Sequence, residues 1–201
     1  MKQPSSASPN AIVMVGLPGS GKSAFAEHFA ETFESPIINT GALQQELRLD
    51  GTQADWLQAI VLNEFLKTRR TVLVDAELNT KERRAEVLKT IIKAGYRPLL
   101  VWVQTDPVES RRRATKKYPI GSGLTAHEFE AAFKNFEPPT VKEKPIVISG
   151  KHTFTTQLKI VLKQISAAAE RPAPSVRTHA QGPRPQTGAT QPPKSRGITI
   201  R

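Results

Sequence analysis

Residues 12–23 constrain the fold of this chain more than any other segment. They begin with the apolar run Ile-Val-Met-Val, which is typical of a buried strand, and continue into the octet Gly-Leu-Pro-Gly-Ser-Gly-Lys-Ser at positions 16–23. An amphipathic stretch follows, with Phe25, Phe29 and Phe33 at helical spacing. The octet fits the pattern G-x-x-x-x-G-K-S/T, which binds phosphate when it lies between a strand and a helix, as it does here.

The residue types of the octet suit a triphosphate with its metal ion. Glycine lets the backbone approach a ligand closely, so the N–H groups of the loop can surround phosphate oxygens. Lys22 brings a positive charge to the β and γ phosphates, and Ser23 offers a hydroxyl to Mg²⁺, which prefers oxygen ligands. ATP is favoured over GTP because the sequence has no Asn-Lys-x-Asp stretch to recognise guanine. The predicted ATP-binding residues are Gly16, Pro18, Gly19, Ser20, Gly21, Lys22 and Ser23.

Strand-like apolar runs alternate with helical patterns along the rest of the chain. The runs lie near residues 12–15, 36–39, 71–74, 98–103 and 145–148. This alternation predicts a five-stranded, mostly parallel sheet with helices on both faces, and it places ligands at the carboxyl ends of the strands. The expected architecture is a three-layer α/β fold of the P-loop NTPase type, covering residues 11–167.

The two ends of the chain have a different composition. Residues 1–10 contain no apolar cluster, and residues 168–201 contain six prolines and, from Glu170 onward, six basic residues against one acidic residue. Segments of this kind cannot bury enough apolar surface to fold, so both are predicted to be disordered. The basic tail has two interpretations: a solvated tail without function, or a weak electrostatic contact with nucleic acid or another polyanion.

Composition limits the compartments and the kinds of partner that we expect for the protein. The chain has 201 residues, no cysteine and a formal net charge of +11. The absence of cysteine excludes disulfides and thiolate metal sites. No apolar run approaches the ~20 residues of a transmembrane helix, and the N-terminus does not resemble a secretory signal. These features predict a cytoplasmic protein that does not enter a membrane and favours polyanions; they do not predict its oligomeric state.

An acidic residue stands where a metal ligand is expected. Asp75 ends the apolar run Val-Leu-Val, and an acid at that point beside a phosphate-binding loop helps to hold Mg²⁺. We predict Ser23 and Asp75 as metal ligands and Lys22 and Asp75 as catalytic residues. The alternative is that Asp75 only caps the turn that follows.

A basic helix follows the fourth strand, and Asp106-Pro107 is a typical helix start. It carries Arg111, Arg112 and Arg113. Guanidinium groups stabilise a phosphoryl group during transfer, but consecutive helical side chains diverge by about 100°, so only one or two can face the nucleotide. We predict Arg111 and Arg112 as catalytic and Arg113 as nucleotide-binding, in a lid hinged at the glycines of residues 118–123. The alternative is a solvated basic face.

Three motifs together suggest a family. They are the octet, the stretch Asp-Ala-Glu-Leu-Asn at 75–79 with Arg83 and Arg84 behind it, and the arginines that follow Val-Trp-Val at 101–103. Over residues 11–165 the chain resembles small P-loop kinases of the polynucleotide-kinase type, a group that includes zeta-toxin-like and chloramphenicol-phosphotransferase-like enzymes and has an ATP-binding domain of the AAA-33 type. The resemblance implies an ATP-dependent kinase with Mg²⁺, with Asp75 near the reacting centre and the arginines in a lid.

The chain departs from this group after the second strand. Kinases of the group usually carry an Asp there, which accepts the proton of the acceptor hydroxyl. This chain has Asn39-Thr40, and Gln44 stands near the position of a following Arg. Because a neutral amide cannot act as a general base, the candidates for that role are Asp75, Glu46 and Asp50.

Three functions are therefore open. The first is a kinase that phosphorylates a hydroxyl, either at the 5′ end of a nucleic acid or on a small molecule, with the acceptor between residues 39–46 and the helix of residues 51–68. The second is a nucleotide-binding regulatory module with little catalytic activity, indicated by the missing base. The third is an ATPase that is coupled to a partner.

Overall fold

The computed structural model describes residues 8–116 and 123–169 of the chain. Its sheet consists of β1 (Asn10–Val15), β2 (Ile37–Asn39), β3 (Val72–Asp75), β4 (Arg97–Gln104) and β5 (Ile146–Ser149). The strands are ordered β2-β3-β1-β4-β5, and every neighbouring pair is parallel. The predicted α/β fold with a five-stranded parallel sheet is confirmed.

Helices connect the strands and follow the last one. They are α1 (Lys22–Phe33), α2 (Thr40–Leu47), α3 (Gly51–Lys67), α4 (Lys81–Lys93), α5 (Pro107–Thr115), α6 (Ala126–Lys134), a short 3₁₀ helix (Val141–Glu143) and α7 (Phe154–Ala169). Within the described ranges, no helix has both the length and the apolar character that crossing a membrane requires. The predicted disordered ends lie mostly outside the described residues, as do residues 117–122 of the predicted lid.

Both faces of the sheet are covered. Helices α3 and α4 pack on one face, and α1 and α7 pack on the other. The middle strand, β1, contributes to both cores: Val13 and Val15 belong to the first cluster, Ile12 and Met14 to the second, and all four are almost fully buried. The loop after β1 therefore begins in the middle of the sheet, among the carboxyl ends of the other strands.

Helix α5 starts directly after β4, as the Asp-Pro pair predicts. The Oδ1 atom of Asp106 accepts hydrogen bonds from the backbone N–H groups of Val108 and Glu109, at 3.0 and 3.2 Å. Pro107 lies in the first turn of the helix, where a backbone N–H group would have no acceptor within the helix, so the N–H that proline lacks is not needed. Because β4 pairs with β1, this early start brings α5 next to the loop that follows β1.

A buried arginine joins the start of α4 to the segment that leads into β5. Arg84 is fully buried, and its Nε lies 2.6 Å from Oε1 of Glu143. It also donates to the carbonyl oxygens of Leu78 and Glu137, at 3.3 and 2.9 Å. Burial alone raises the pKa of Glu143, but the hydrogen bonds from Arg84 and Thr140 hold the pKa of this carboxyl below its usual value. Arg84, noted in the sequence as part of a kinase motif, thus has a structural role.

Candidate nucleotide-binding site

The loop between β1 and α1, with the first residues of α1, forms the phosphate loop (residues 16–23). Gly16, Gly19 and Gly21 have φ angles of 148°, 74° and 105°, which residues with a side chain rarely adopt. A Cβ atom at Gly16 would also lie 2.6 Å from the carbonyl oxygen of Val103, and one at Gly19 would overlap the carbonyl oxygen of Ser110. The shape of the loop therefore requires glycine at these positions.

The interior of the phosphate loop has the chemistry of an anion site. Gly21 is the N-cap of α1 and no side chain caps this helix, so its first N–H groups are available to an anion. The Oγ atom of Ser20 is buried and has no hydrogen-bond partner among the described residues. Lys22 Nζ donates to the carbonyl oxygen of Leu17 at 3.0 Å, which holds the ammonium group over the loop. These groups fit the phosphates of a nucleotide.

Two neighbouring strand ends support the phosphate loop. Thr105, directly after β4, donates from Oγ1 to the carbonyl oxygen of Ser20 at 2.9 Å. Gly150, directly after β5, donates from its N–H to the carbonyl oxygen of Gln104 at 2.8 Å and lies directly against Ser20. Gly150 is not among the residues predicted from the sequence, although it directly follows an apolar strand, as Gly16 does.

Replacing Gly150 by alanine is expected to weaken folding and nucleotide binding together. The new methyl group would overlap the carbonyl oxygen of Ser20 and Oγ1 of Thr105, so the phosphate loop or the connection after β5 must shift. Overpacking of this kind costs about 1–3 kcal/mol. Urea unfolding and calorimetry with ATP measure the two effects. Gly51→Ala is the matched control, because no atom lies within 4 Å of a Cβ there. If both substitutions changed stability and ATP affinity equally, the close contact between Gly150 and Ser20 would be contradicted.

Asp75 lies in the strand next to the start of the phosphate loop. It is the last residue of β3, pairs in register with Met14 on β1, and is 5% exposed. No described residue forms a hydrogen bond or ion pair with its carboxylate. Its oxygens are not among the buried side-chain atoms that lack a partner, so they remain accessible to solvent and to a cation at the end of the strand. The oxygens of Asp75 and of the half-buried Ser23 are the ligands that Mg²⁺ prefers.

The described residues contain no group of three or more His, Asp or Glu side chains that could hold a metal ion without other ligands. Protein Mg²⁺ sites commonly use one or two side chains, with substrate phosphates and water as the other ligands. The pair of Ser23 and Asp75 therefore fits a metal ion that binds together with a nucleotide.

Of the three arginines of α5, Arg113 contacts Gly150, which lies against the phosphate loop. Its Nη1 donates to the carbonyl oxygen of Gly150 at 3.0 Å, and its Nε lies 2.6 Å from Glu109. Glu109 also accepts two hydrogen bonds from Arg112, both at 2.7 Å. The hydrogen bonds from Arg112 and Arg113 lower the pKa of Glu109 to about 2. Its ionised carboxylate orients both guanidinium groups.

The other two arginines have different surroundings, as their divergence along a helix requires. Arg111 pairs with Glu130 on α6, with 3.0 Å between Nη1 and Oε1, and both side chains are about half exposed. Arg112 is more exposed still. Neither forms a hydrogen bond with a residue of the phosphate loop, and their catalytic role stays a prediction.

The carboxyl end of β2 has no acid, and the structure gives other roles to its polar side chains. Asn39 caps α2 by accepting a backbone hydrogen bond from Ala42 at 3.0 Å. Asp50 caps α3 by accepting one from Gln53 at 2.8 Å. Glu46 lies on the exposed side of α2. Of the three candidate bases, Asp75 alone is a buried side chain at a strand end.

A cavity of about 250 Å³ lies between α3 and α4, next to the helix at which the sequence places an acceptor. Its walls include the carboxylates of Asp55, Glu77 and Glu86 and the guanidinium group of Arg83. Arg83 pairs with Asp55 across this cavity. This cavity is therefore acidic, and its arginine is already paired. We call it the acidic cavity.

Comparison with known families decides the classification. A family model of an AAA domain, AAA_33, matches residues 12–139, from β1 through α6. The chain belongs to this AAA domain family. The matched part of the AAA domain contains the phosphate loop, Asp75 and the three arginines of α5. No curated protein shows significant sequence similarity to the chain.

Solved structures show how widely this fold is shared. A gluconokinase from Sinorhizobium meliloti 1021 is 18% identical with a TM-score of 0.62, and the match covers 82% of this chain and 96% of that one. Chaetomium thermophilum Kti12 in complex with ADP-AlF3 is 15% identical with a TM-score of 0.61, covering 78% and 98%. Mycobacterium tuberculosis APS kinase CysC in complex with AMPPNP and APS is 18% identical with a TM-score of 0.55, covering 80% and 99%. These likenesses establish a P-loop kinase fold; the narrower polynucleotide-kinase and zeta-toxin grouping stays a prediction.

Proposed function

We propose that this AAA domain is an ATP-dependent phosphotransferase that transfers the γ-phosphoryl group of ATP to a hydroxyl group. The observation that carries the proposal is the position of Asp75, a largely buried residue at the strand end beside the phosphate loop whose carboxylate has no partner among the described residues. The fold supports it further, since the gluconokinase and the APS kinase that share the fold are themselves kinases. Because these two kinases act on different substrates, the shared fold does not identify the acceptor of this chain. The acceptor has to be inferred from the site.

The chemistry of the proposed reaction follows from the site. The acceptor oxygen forms a bond to the γ-phosphorus, the bond to the β,γ-bridging oxygen breaks, and ADP leaves. Lys22 and the N–H groups of the loop bind the phosphates, while Ser23 and Asp75 would hold Mg²⁺, which neutralises charge on the phosphate oxygens when it is bound. Asp75 receives the hydroxyl proton, directly or through one water. Positioning and charge supply most of the acceleration in phosphoryl transfer, so a site with one shared carboxylate can work slowly.

The proposed acceptor is a 5′-hydroxyl of a nucleic acid or the hydroxyl of a small molecule. The net charge of +11 favours an anionic partner, and the basic tail of residues 168–201 is a second candidate contact for a polyanion. The absence of cysteine agrees with a reducing compartment, so we propose that the protein acts in the cytoplasm.

A second candidate is a nucleotide-binding regulatory module. The observation that favours it is Asn39 at the end of β2, where its side chain serves as a helix cap and cannot act as a base. Such a module would bind ATP tightly without turning it over. A partner-coupled ATPase is the third possibility, and it would hydrolyse ATP without transferring phosphate to an acceptor.

Asp75→Asn is expected to reduce phosphoryl transfer and to leave ATP binding largely intact. The substitution removes the proposed proton acceptor and metal ligand, and loss of a general base costs about 10²- to 10⁴-fold in rate. The assay follows labelled γ-phosphate into a panel of 5′-hydroxyl oligonucleotides and small alcohols, with release of free phosphate measured in parallel. Glu64→Gln, at an exposed carboxylate on α3, is the control and should match the wild type.

The same assay separates the three functions. Transfer that Asp75→Asn reduces supports the kinase. Tight ATP binding with neither transfer nor hydrolysis would refute the kinase and favour the regulatory module. Hydrolysis without transfer to any acceptor would favour the ATPase.

A further inference from the structure

The acidic cavity lies on the face of the sheet that α3 and α4 cover. Its lining residues belong to the facing sides of these two helices, apart from Glu77 and Leu78, which follow β3. Leu62 and Leu78, both in its wall, are part of the cluster on that face, whereas α1 packs into the opposite cluster. No residue of the phosphate loop lines the cavity. A molecule bound there would therefore occupy a site of its own.

One end of the acidic cavity adjoins the carboxyl ends of β2 and β3. Gln58, in its wall, accepts a hydrogen bond from Oγ1 of Thr40, the first residue after β2, at 3.0 Å. Glu77, also in its wall, lies two residues after Asp75, and Asp75 pairs in register with Asn39 at the end of β2. The cavity thus opens at the edge of the sheet where ligands of this fold class bind.

The lining of the acidic cavity carries an excess of negative charge. Asp55, Glu77 and Glu86 contribute three negative charges and Arg83 contributes one positive charge, which leaves a net charge of −2. Arg83 is paired with Asp55. The carboxylates of Glu77 and Glu86 have no ion-pair or hydrogen-bond partner among the described residues. A cleft lined by one sign of charge concentrates ligands of the opposite sign, so this cavity favours a cation although the whole chain is basic.

A buried amide gives a second and independent indication of a ligand. Gln58 is only 7% exposed. Its Oε1 is bonded to Thr40, but its Nε2 forms no hydrogen bond with any described residue. Nε2 is also not one of the enclosed atoms without a partner, so it is accessible from the cavity. A donor in this position needs an acceptor atom from water or from a ligand, such as the oxygen of a hydroxyl group.

The size and chemistry of the acidic cavity favour a small organic cation. Its volume of about 250 Å³ is just below the roughly 300–1,000 Å³ of pockets for drug-sized ligands, which suits a molecule of the size of a monosaccharide. The described carboxylates do not form a group of three that could hold a metal ion. The side chains of Ala59, Leu62 and Val87 are apolar parts of the wall, and they suit a carbon skeleton.

We infer that the acidic cavity binds a small amine that also carries hydroxyl groups, and that an amino sugar is the class of ligand it takes. The ammonium group pairs with the free carboxylates of Glu77 and Glu86. A hydroxyl oxygen accepts the N–H of Gln58, and the apolar side chains cover the sugar ring. This binding site goes beyond the proposed function and does not depend on phosphoryl transfer.

Three matched sugars test the preference for a cation. The full chain is titrated with glucosamine, glucose and glucuronic acid, which share a pyranose ring and differ mainly in charge, and ligand-observed NMR measures binding. Exposed ion pairs contribute about 0.2–1 kcal/mol each, so two of them should make glucosamine bind about fivefold more tightly than glucose. Glucuronic acid should not bind. The same result is expected when the protein is saturated with a non-hydrolysable ATP analogue and Mg²⁺.

Charge variants locate the ammonium group. Glu77→Gln and Glu86→Gln keep the size of the side chain and remove its charge, and both positions are exposed. Each should weaken glucosamine binding about two- to fivefold and leave glucose binding unchanged. Glu82→Gln is the matched control, because Glu82 is an exposed carboxylate on α4 that does not line the cavity.

A steric variant tests the cavity itself. Ala59→Leu places a larger side chain in the wall of the acidic cavity and should abolish saturable binding of glucosamine. The fold should tolerate it, because Ala59 is exposed on α3 and leucine is a good helix former. Ala85→Leu is the control at an exposed alanine of α4 outside the cavity. The melting temperatures of both variants should equal that of the wild type.

Several results would overturn the amino-sugar site. They are no saturable binding of glucosamine at millimolar concentration, glucose binding as tightly as glucosamine, and Glu77→Gln and Glu86→Gln both binding like Glu82→Gln. Binding that Ala59→Leu leaves unchanged would place the sugar elsewhere on the protein and overturn the site. Competition between glucosamine and the ATP analogue would overturn a site separate from the nucleotide. None of these results bears on the proposed kinase, because none of them measures phosphoryl transfer.

Discussion

Replacing Lys22 by alanine is expected to remove most of the affinity of this AAA domain for ATP. The ammonium group is held over the phosphate loop by a 3.0 Å hydrogen bond to the carbonyl oxygen of Leu17, and we propose that it binds the β and γ phosphates. A hydrogen bond to a charged group contributes about 1.5–3 kcal/mol. Loss of two such bonds would reduce affinity by at least about 10²-fold. Calorimetry with ATP and Mg²⁺ measures the change.

The fold should survive this substitution, because Lys22 is half-buried and lies in the first turn of α1. Lys81→Ala is the control, since Lys81 is likewise the first residue of a helix but is exposed at the start of α4. Its melting temperature and ATP affinity should equal those of the wild type. Wild-type affinity in Lys22→Ala, or no ATP binding by the wild type, would contradict the assignment of the phosphate loop.

Arg84→Met is expected to destabilise the fold by about 3–5 kcal/mol, the usual cost of removing one partner from a buried ion pair. The substitution would leave the carboxylate of Glu143 without its 2.6 Å partner. It would also leave the carbonyl oxygens of Leu78, Asn79 and Glu137 without the donor that they share. Urea unfolding measures the loss, and a reduced midpoint with an unchanged slope would show that stability alone has changed.

The adjacent arginine provides the control. Arg83 pairs with Asp55 where both side chains are partly exposed, and exposed ion pairs contribute about 0–1 kcal/mol, so Arg83→Met should have little effect. The double substitution Arg84→Met with Glu143→Gln should recover part of the stability, because it leaves no buried unpaired charge. Equal losses for Arg83→Met and Arg84→Met would contradict the structural role of Arg84.

The fold was largely predictable because its signals are local. Alternating apolar runs and helical patterns predicted the parallel sheet with helices on both faces, and Asp106-Pro107 predicted the start of α5. The octet predicted where the sheet places its phosphate loop. Each of these signals lies within a few residues of the feature that it specifies.

The surroundings of the phosphate loop were not predictable in the same way. Thr105 and Ser20 are 85 positions apart in the sequence, yet they share a hydrogen bond. Gly150 matters because it lies against the carbonyl group of Ser20. Contacts of this kind depend on which strands become neighbours, and a single sequence does not contain that information directly.

The sequence by itself determined that the chain folds around a phosphate loop in a parallel α/β sheet, because the octet and the hydrophobic periodicity specify local backbone structure. Only the tertiary structure decided which surroundings each of several chemically similar side chains has. It directs Arg113 toward Gly150 and Arg111 toward Glu130, and among the acids it uses Asp50 as a helix cap while burying Asp75 beside the loop. The physical reason is that a side chain's role depends on its direction and its neighbours, which are established when distant segments pack together.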